Sequence, residues 1–353
     1  MTSDQRVLPV PRTLPDLLSP DWLSSALDAR FPGIRVTEVT PGPVVSRVST
    51  NARFRIACDG GVPEGLSADL CGKGYFSEDG WHARQAGIFE VSFYRDLVAT
   101  TGVRTLRSVY ADIDPDTQHG VVITEDVVAQ GGEFLDSTSD YTPELAAESL
   151  SELAKLHASL WGEPDAATAR WLDSRLDKHT GVRGVKEIRG NFESAIGAGV
   201  PTEVRDAERL FAAYVDLAEE APRLSPWTVI HGDTHVGNLY LDADDRPSFL
   251  DWQLVQRAPW YIDVGYHIAS VLTVEDRRRS EKDLLRHYLD ALRAAGLAEP
   301  PRWDDAWLGI RRGILHGFYL WGITLKVDPA ITTALLERLG TAAADHEVFG
   351  LAS

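Results

Sequence analysis

One stretch, from Thr228 to Gln253, constrains this chain more than any other part of its sequence. Three short apolar runs in it have the length and composition of buried strands: residues 228–230, 239–241 and 248–250. Residues 242–247 are rich in Asp and end in Pro, which is typical of a hairpin turn. Polar residues flank these runs. The pattern therefore predicts that the carboxylates of Asp233 and Asp251 and the carboxamide of Asn238 lie at strand ends within one compact hairpin unit.

The spacing of these three polar residues matches a specific chemical requirement. A kinase active site needs an Asp that accepts the proton of the attacking hydroxyl and an Asn five residues later that holds magnesium. It also needs a second Asp, one hairpin further on, that holds magnesium against the nucleotide phosphates. Asn238 lies five positions after Asp233, and Asp251 follows the hairpin. The sequence therefore predicts Asp233 as the catalytic residue and Asn238 and Asp251 as metal ligands.

The segment HGDTHVGN, followed by FLDWQ, resembles the catalytic signature of the aminoglycoside phosphotransferase and choline kinase-like family, closest to its ecdysteroid-kinase-like branch. The resemblance implies an α+β, protein kinase-like two-lobed fold, with a small β-rich N-terminal lobe and a larger, mostly helical C-terminal lobe. It implies a small-molecule kinase that uses ATP and Mg2+ and transfers the γ-phosphate to a hydroxyl group. By the same resemblance, His231 and His235 hold the loop and are not bases.

The rest of the chain is interpreted within that fold. Residues 1–124 are expected to form an N-terminal arm and the nucleotide-binding lobe, residues 125–128 a hinge, and residues 129–353 a helical lobe with the catalytic loop and acceptor site. Residues 162–200 are interpreted as an insertion with helical pieces. Four β-prone runs predict an antiparallel sheet in the first lobe: residues 36–39, 44–48, 54–58 and 70–75.

Three positions in the first lobe and two in the hinge are assigned to the nucleotide. Lys73 is the only lysine in the first 154 residues and ends a β-prone run. A kinase places a lysine there on the α- and β-phosphates. Glu90, on the helix that follows, is expected to pair with Lys73; the alternative is a solvated strand lysine. By resemblance, Ser46 lies in the phosphate-covering loop, and the main chain of Glu125 and Val127 meets the adenine.

Two supporting residues are also predicted. Asp263, in a turn that resembles the family's GPPxxDLA segment, would accept backbone amides of the catalytic loop at a helix start. His157 lies on the apolar face of a helix, which favours a hydrogen-bonded core histidine over a ligand.

Composition disfavours binding to nucleic acid, association with membranes and a disulfide-stabilised fold. The net charge of −18 and the isoelectric point of about 4.9 disfavour binding to nucleic acid and to anionic membranes. No apolar run approaches the ~20 residues of a membrane-spanning helix. Two cysteines, Cys58 and Cys71, are no disulfide framework, so a reducing cytoplasm is expected.

The acceptor is predicted to be small and partly apolar, because aromatic residues are frequent after the catalytic stretch: Trp252, Trp260, Tyr261, Tyr266, Trp303, Trp307, Phe318, Tyr319 and Trp321. Arg312 or His316 could supply a polar contact to it. Two other functions stay open at this point, a catalytically silent kinase-fold ligand-binding protein and a metal-dependent phosphoesterase. GTP in place of ATP and the oligomeric state also stay open.

Overall fold

The computed structural model describes residues 8–162 and 170–351. Residues 1–7 of the predicted arm and residues 163–169 of the predicted insertion lie outside this range. The chain folds into two compact units. Unit 1 holds the described residues up to Ala99 together with Thr105–Glu133 and Asp251–Gln253. Unit 2 holds the remaining described residues. The hinge at residues 125–128 stays a prediction, and unit 1 continues past it to Glu133.

Unit 1 is built on a five-stranded antiparallel sheet with the order β1-β2-β3-β5-β4. Its strands are β1 (Val36–Ser46), β2 (Thr50–Cys58), β3 (Asp69–Gly74), β4 (Ser108–Ile113) and β5 (Gly120–Glu125). The runs predicted separately at 36–39 and 44–48 form one strand, β1, whose register shifts between Pro41 and Val44. A β-bulge accommodates the proline-rich segment there, because proline cannot donate to a regular ladder.

Short helices lie before β1 and between β3 and β4 along the chain. They are α1 (Leu14–Leu17), α2 (Pro20–Asp28), α3 (Glu78–Ala83), α4 (Gly87–Ser92) and α5 (Val98–Thr101), and a π-helical turn, Phe93–Leu97, joins α4 to α5. Ser19 caps α2 as the Ser-Pro pair predicts, by accepting a hydrogen bond from the amide of Trp22. The sequence predicts an extended arm up to about residue 20, and this prediction was wrong at α1, where the Thr13 side chain accepts the amide of Asp16 and starts a helical turn. Leu17 and Leu23 then pack into the core of the sheet.

Unit 2 is mostly helical. Its helices are α6 (Pro143–Ser159), α7 (Leu176–Thr180), α8 (Val185–Glu193), α9 (Ala207–Glu220), α10 (Tyr261–Val271), α11 (Val274–Ala294), α12 (Trp303–Gly322) and α13 (Pro329–Asp345). The sequence predicts a helix that starts at Thr142-Pro143 and further helices at about 203–220, 276–295, 304–325 and 330–346, and α6, α9, α11, α12 and α13 match these to within four residues. The Thr142 side chain caps α6 by accepting the amide of Leu145. Every residue of α10 is buried, and α10 packs along α12.

The strands on either side of Asp233 in the chain do not form the single hairpin unit that the sequence predicts. They are β6 (Glu133–Phe134), β7 (Thr228–Ile230), β8 (Leu239–Leu241), β9 (Pro247–Phe249) and β10 (Gln256–Ala258). β8 and β9 form the expected hairpin, whereas β7 pairs with β10. The loop from His231 to Asn238 therefore runs from one small sheet to another. None of the helices in the described part of the chain combines the length and apolar character that a membrane crossing requires.

Candidate active site

The ammonium group of Lys73 is the centre of a charged cluster in unit 1. Lys73 Nζ lies 2.7 Å from Glu90 Oε2 and 3.1 Å from Asp251 Oδ1. Glu90 is buried on α4, and Lys73 is held in the sheet between Asn51 and Val122. Burial by itself lowers the pKa of Lys73, but the charges of Asp251 and Glu90 raise it well above its ordinary value. The cluster therefore holds a permanent positive charge between two acids that the sequence places far apart.

The segment Asp251–Gln253 belongs to unit 1, and its side chains contact other residues of that unit. The indole of Trp252 stacks on Phe93 with ring centroids 3.7 Å apart and donates from Nε1 to Thr105 Oγ1 at 2.9 Å. Gln253 Nε2 donates to the hydroxyl of Tyr75 at 3.0 Å. Asp251 itself has φ +62°, in the left-handed region that Asp tolerates better than most residues. This strained backbone at a predicted metal ligand is held in place by the packing around it.

Ser46 and Glu125, which the sequence assigns to the nucleotide, lie at different positions along the sheet of unit 1. Ser46 pairs with Thr50, which pairs with Gly74 next to Lys73, so Ser46 and Lys73 share one end of the sheet. Glu125 instead pairs with Leu70, three residues before Lys73, or roughly 10 Å along the strand. The sheet thus brings Ser46 to Lys73 and keeps Glu125 apart from both.

The residues at the end of β5 have partners of their own. The Glu125 carboxylate binds Arg107 Nη1 at 2.7 Å and the amide of Ser67 at 3.1 Å. The Val127 carbonyl accepts the amides of Gln130 and Gly132 and closes a turn. The side chain of Glu125 is therefore structural, and its predicted role concerns the main chain alone.

In unit 2, Asp263 holds the loop that carries Asp233. Its two carboxylate oxygens accept the amides of His231 at 2.7 Å and Gly232 at 2.8 Å, as the sequence predicts. Burial alone would raise the pKa of Asp263, but hydrogen bonds from His157 and the loop hold it below its usual range. Gly232 has φ +84°, and a Cβ there would lie 2.3 Å from the carbonyl oxygen of Leu254, so only glycine fits.

Asn238 is oriented by the main chain of the same loop. Its Nδ2 donates to the carbonyl of Asp233 at 2.8 Å, so the carboxamide oxygen points away from that carbonyl. The amide of Leu250 donates to the carbonyl of Asn238 at 3.0 Å, one residue before Asp251. A carboxamide oxygen and a carboxylate are the hard oxygen donors that Mg2+ takes in proteins. Each of the two predicted ligands therefore has the donor chemistry that the predicted ion requires.

The histidines of the loop serve as its scaffold. His231 contacts the Leu250 carbonyl through Nε2 at 2.9 Å and the amide of Asp233 through Nδ1 at 3.2 Å. His235 accepts the amide of Gly237 at Nδ1, so its neutral ring carries hydrogen at Nε2, which lies 3.8 Å from Asp233 Oδ2. His157 is fully buried and bonded to Asp263 at 3.1 Å, as the sequence predicts.

Two further histidines support the loop, and the sequence did not assign this role to them. His316 on α12 donates from Nε2 to the Gly232 carbonyl at 3.0 Å, and His267 on α10 contacts the Thr234 carbonyl through Nδ1 at 2.7 Å. Burial lowers the pKa of both, that of His267 to about 4, so both are neutral near pH 7. The suggestion that His316 contacts the acceptor was wrong because its ring is fully buried. The only signal in the sequence was their helical positions.

The aromatic residues predicted to line the acceptor site belong largely to the core. Seven of the nine are buried: Trp252, Trp260, Tyr261, Tyr266, Phe318, Tyr319 and Trp321. Trp303 and Trp307 stack on each other, with centroids 5.7 Å apart. Helical spacing places most of these rings between packed helices, so they do not by themselves indicate an apolar acceptor.

Within residues 8–162 and 170–351, no three His, Cys, Asp or Glu side chains cluster as ligands of a metal ion. A dinuclear phosphoesterase needs such a cluster. The described residues therefore provide no ligand set for the metal-dependent phosphoesterase that was considered as an alternative function. Cys58 and Cys71 are both free thiols.

We expect Lys73 and Glu90 to act as one unit. Lys73→Met and Glu90→Gln should each lower kcat/KM for the nucleotide by roughly tenfold or more, and the double variant should be no worse than Lys73→Met, because the partners share one interaction. Steady-state kinetics with varied nucleotide measures this. Lys155→Met is the matched control, since Lys155 pairs with Glu152 on α6 at 2.7 Å and is half exposed. Fully additive losses would show that the two residues act separately.

Residues 81–303 match the model of a family described as the phosphotransferase enzyme family, APH. The fold is similar to that of choline kinase from Cryptosporidium parvum Iowa II, with TM-score 0.51, 12% identity and coverage of 88% of this chain and 89% of that one. This similarity confirms the predicted fold class.

Two other solved structures are similar at lower TM-scores. Choline kinase LicA from Streptococcus pneumoniae has TM-score 0.47 and 14% identity, with coverage of 92% of this chain and 98% of that one. The GDP complex of aminoglycoside 2'-phosphotransferase-IIIa has TM-score 0.48 and 15% identity, with coverage of 92% and 98%. A comparison with curated proteins finds no match.

Proposed function

Because the chain belongs to the phosphotransferase enzyme family, we propose that it is a small-molecule kinase that transfers the γ-phosphate of ATP to a hydroxyl group. The observation that carries this proposal is the Lys73 cluster, in which one mostly buried ammonium contacts Glu90 and Asp251. Such an ammonium binds nucleotide phosphates as a point charge. The intact cluster argues against a catalytically silent binding protein.

The proposed reaction assigns a proton acceptor to the catalytic loop. The acceptor's hydroxyl oxygen attacks the γ-phosphorus while its proton passes to the carboxylate of Asp233. The bond between the γ-phosphorus and the oxygen bridging to the β-phosphate breaks, and its electrons stay on ADP. The products are a phosphate monoester and ADP. Asp263 and His316 keep the backbone around Asp233 in place through Gly232.

The nucleotide is proposed to lie along the sheet of unit 1. Lys73 binds its phosphates, Ser46 lies at the same end of the sheet, and the main chain of Glu125 and Val127 meets the adenine. The separation of roughly 10 Å along β3 between the Lys73 and Glu125 positions suits a ligand with a base at one end and phosphates at the other. Asn238 and Asp251 would hold Mg2+, which neutralises phosphate charge when bound.

We propose a small and partly apolar acceptor. Side chains that contact Asp233 include a phenol, Tyr266 at 3.0 Å, and an imidazole, His235 at 3.8 Å. A polycationic acceptor would need several converging carboxylates instead. The cytoplasmic setting, the absence of nucleic-acid and membrane partners and the ecdysteroid-kinase-like branch stay predictions.

A side-by-side kinetic panel tests this function. ATP and GTP are each offered with aminoglycosides, choline, ethanolamine, apolar alcohols and hydroxy acids, and release of the nucleoside diphosphate is measured with and without Mg2+. We expect acceptor-dependent ADP release, with the highest kcat/KM for an uncharged or singly charged alcohol. A higher kcat/KM for any aminoglycoside would overturn the proposed acceptor class. Phosphate release from simple phosphoesters without a nucleotide would overturn the kinase.

A further inference from the structure

Asp233 has a side-chain partner that the predicted mechanism does not use. The hydroxyl of Tyr266 lies 3.0 Å from Asp233 Oδ1 and donates to it. The indole of Trp321 donates from Nε1 to the same phenol oxygen at 2.7 Å. Tyr266 is on α10 and Trp321 on α12, and all three residues belong to unit 2. They form a chain of two hydrogen bonds that ends on the predicted base.

The direction of this chain follows from its donors. An indole N–H can only donate, so the Tyr266 oxygen must accept from Trp321. A phenol has a single hydrogen, which is then left for Asp233 Oδ1. Hydrogen bonds to a charged acceptor are stronger than neutral ones, and a donor that is itself polarised by another hydrogen bond is strengthened further.

Burial keeps this donor neutral and in place. The rings of Tyr266 and Trp321 are buried, and burial together with the nearby charge of Asp233 raises the pKa of Tyr266 well above its ordinary value. Tyr266 therefore remains a protonated donor. A Cβ at Gly317 would lie 2.3 Å from the Tyr266 ring, so the ring packs directly over a residue one turn before Trp321 on α12.

The same helix holds both the main chain and the side chain of the catalytic loop. Asp263 accepts the amides of His231 and Gly232, and Tyr266, one turn later on the same face, donates to Asp233. Through Asp263, α10 holds the main chain of the loop, and through Tyr266 it orients the side chain of Asp233.

We propose that Tyr266, polarised by Trp321, is a positioning residue that fixes the carboxylate of Asp233 through Oδ1 and leaves Oδ2 to receive the proton of the acceptor hydroxyl. This inference rests on the proposed function, because it takes Asp233 as the base. In the reaction, Tyr266 keeps its proton throughout, and the proton of the acceptor ends on Oδ2. The role is distinct from that of Asp263, which holds the loop through its backbone amides.

The test uses the full chain and the hydrolysis of Mg·ATP, in which water is the acceptor. Tyr266→Phe should lower kcat roughly ten- to a hundredfold and leave KM for ATP within about twofold, because it removes one hydrogen bond to a charged group. Trp321→Phe should give a smaller loss in the same direction and add nothing to Tyr266→Phe. The matched control is Tyr319→Phe, since Tyr319 is equally buried on α12 and donates to the Arg183 carbonyl at 3.0 Å.

A double variant separates positioning from a merely structural role. In the Asp233→Asn background, Tyr266→Phe should cost little further activity, because the proton acceptor that Tyr266 positions is already removed. A further loss of similar size in that background, or a Tyr266→Phe enzyme within about twofold of wild type, would overturn the inference and leave the kinase standing. An Asp233→Asn enzyme that keeps its turnover would overturn both this inference and the assignment of Asp233 as the base. If Tyr266→Phe does not fold, Trp321→Phe tests the chain of hydrogen bonds in its place by the same comparison.

Discussion

Replacing Asp233 with Asn is expected to leave folding and nucleotide binding intact and to lower kcat by roughly 10²–10⁴-fold. The carboxamide keeps the shape of the side chain and can still accept the hydrogen bond from Tyr266, but it cannot take the proton of an acceptor hydroxyl. The measurement is kcat for ADP release, with thermal unfolding and Mg·ADP binding as checks on the fold and the nucleotide site.

Asp245→Asn is the matched control for this variant. Asp245 is exposed in the turn between β8 and β9 and has φ +59°, which Asn also tolerates. It removes the same charge from the neighbouring turn and should leave kcat within about twofold. An Asp233→Asn enzyme with more than about a tenth of wild-type kcat would contradict the assignment of Asp233 as the base.

The second large effect is expected at Asp251. Asp251→Ala should abolish the gain in nucleotide affinity that magnesium gives, on the order of a hundredfold or more, because the phosphate oxygens lose the metal that neutralises them. Isothermal calorimetry of ATP with and without Mg2+ measures this directly. Lys73 keeps Glu90 at 2.7 Å in the variant, so metal-free nucleotide binding should change much less.

The backbone of Asp251 calls for a companion variant. Alanine is strained at φ +62°, whereas Asn tolerates that region, so Asp251→Asn separates loss of charge from loss of fold. Both variants should lose the magnesium effect, and Asp251→Asn should keep the unfolding temperature closer to wild type. Unchanged ATP affinity in the presence of Mg2+ in either variant would place the metal elsewhere.

Local sequence was sufficient for the main elements and for the family. Caps such as Ser19 and Thr142 mark helix starts because their side chains satisfy backbone amides within three residues. The segments HGDTHVGN and FLDWQ indicated the family by resemblance, and the match over residues 81–303 confirms it. Lys73 and Glu90 were predicted to pair from their order along the chain, and Lys73 Nζ lies 2.7 Å from Glu90 Oε2.

The tertiary structure decided which polar and aromatic residues serve the catalytic loop and which serve the core. Periodicity places Tyr266, His316 and Trp321 on helix faces, but it does not say which element each face meets. That depends on how α10 and α12 pack, which involves residues distant in sequence. The same limit explains the aromatic rings that were expected at the acceptor site and are buried instead, since an apolar face is equally suited to either.

By itself, the sequence determined most of the elements and the family, because each depends on residues within one or two turns or one hairpin of each other. Only the tertiary structure decided that β7 pairs with β10, that Asp251 contacts Lys73, and that Tyr266 donates to Asp233. These contacts join residues between 26 and 178 positions apart, as for Ile230 with Gln256 and Lys73 with Asp251. Their geometry is set by packing across the fold, which no local pattern encodes.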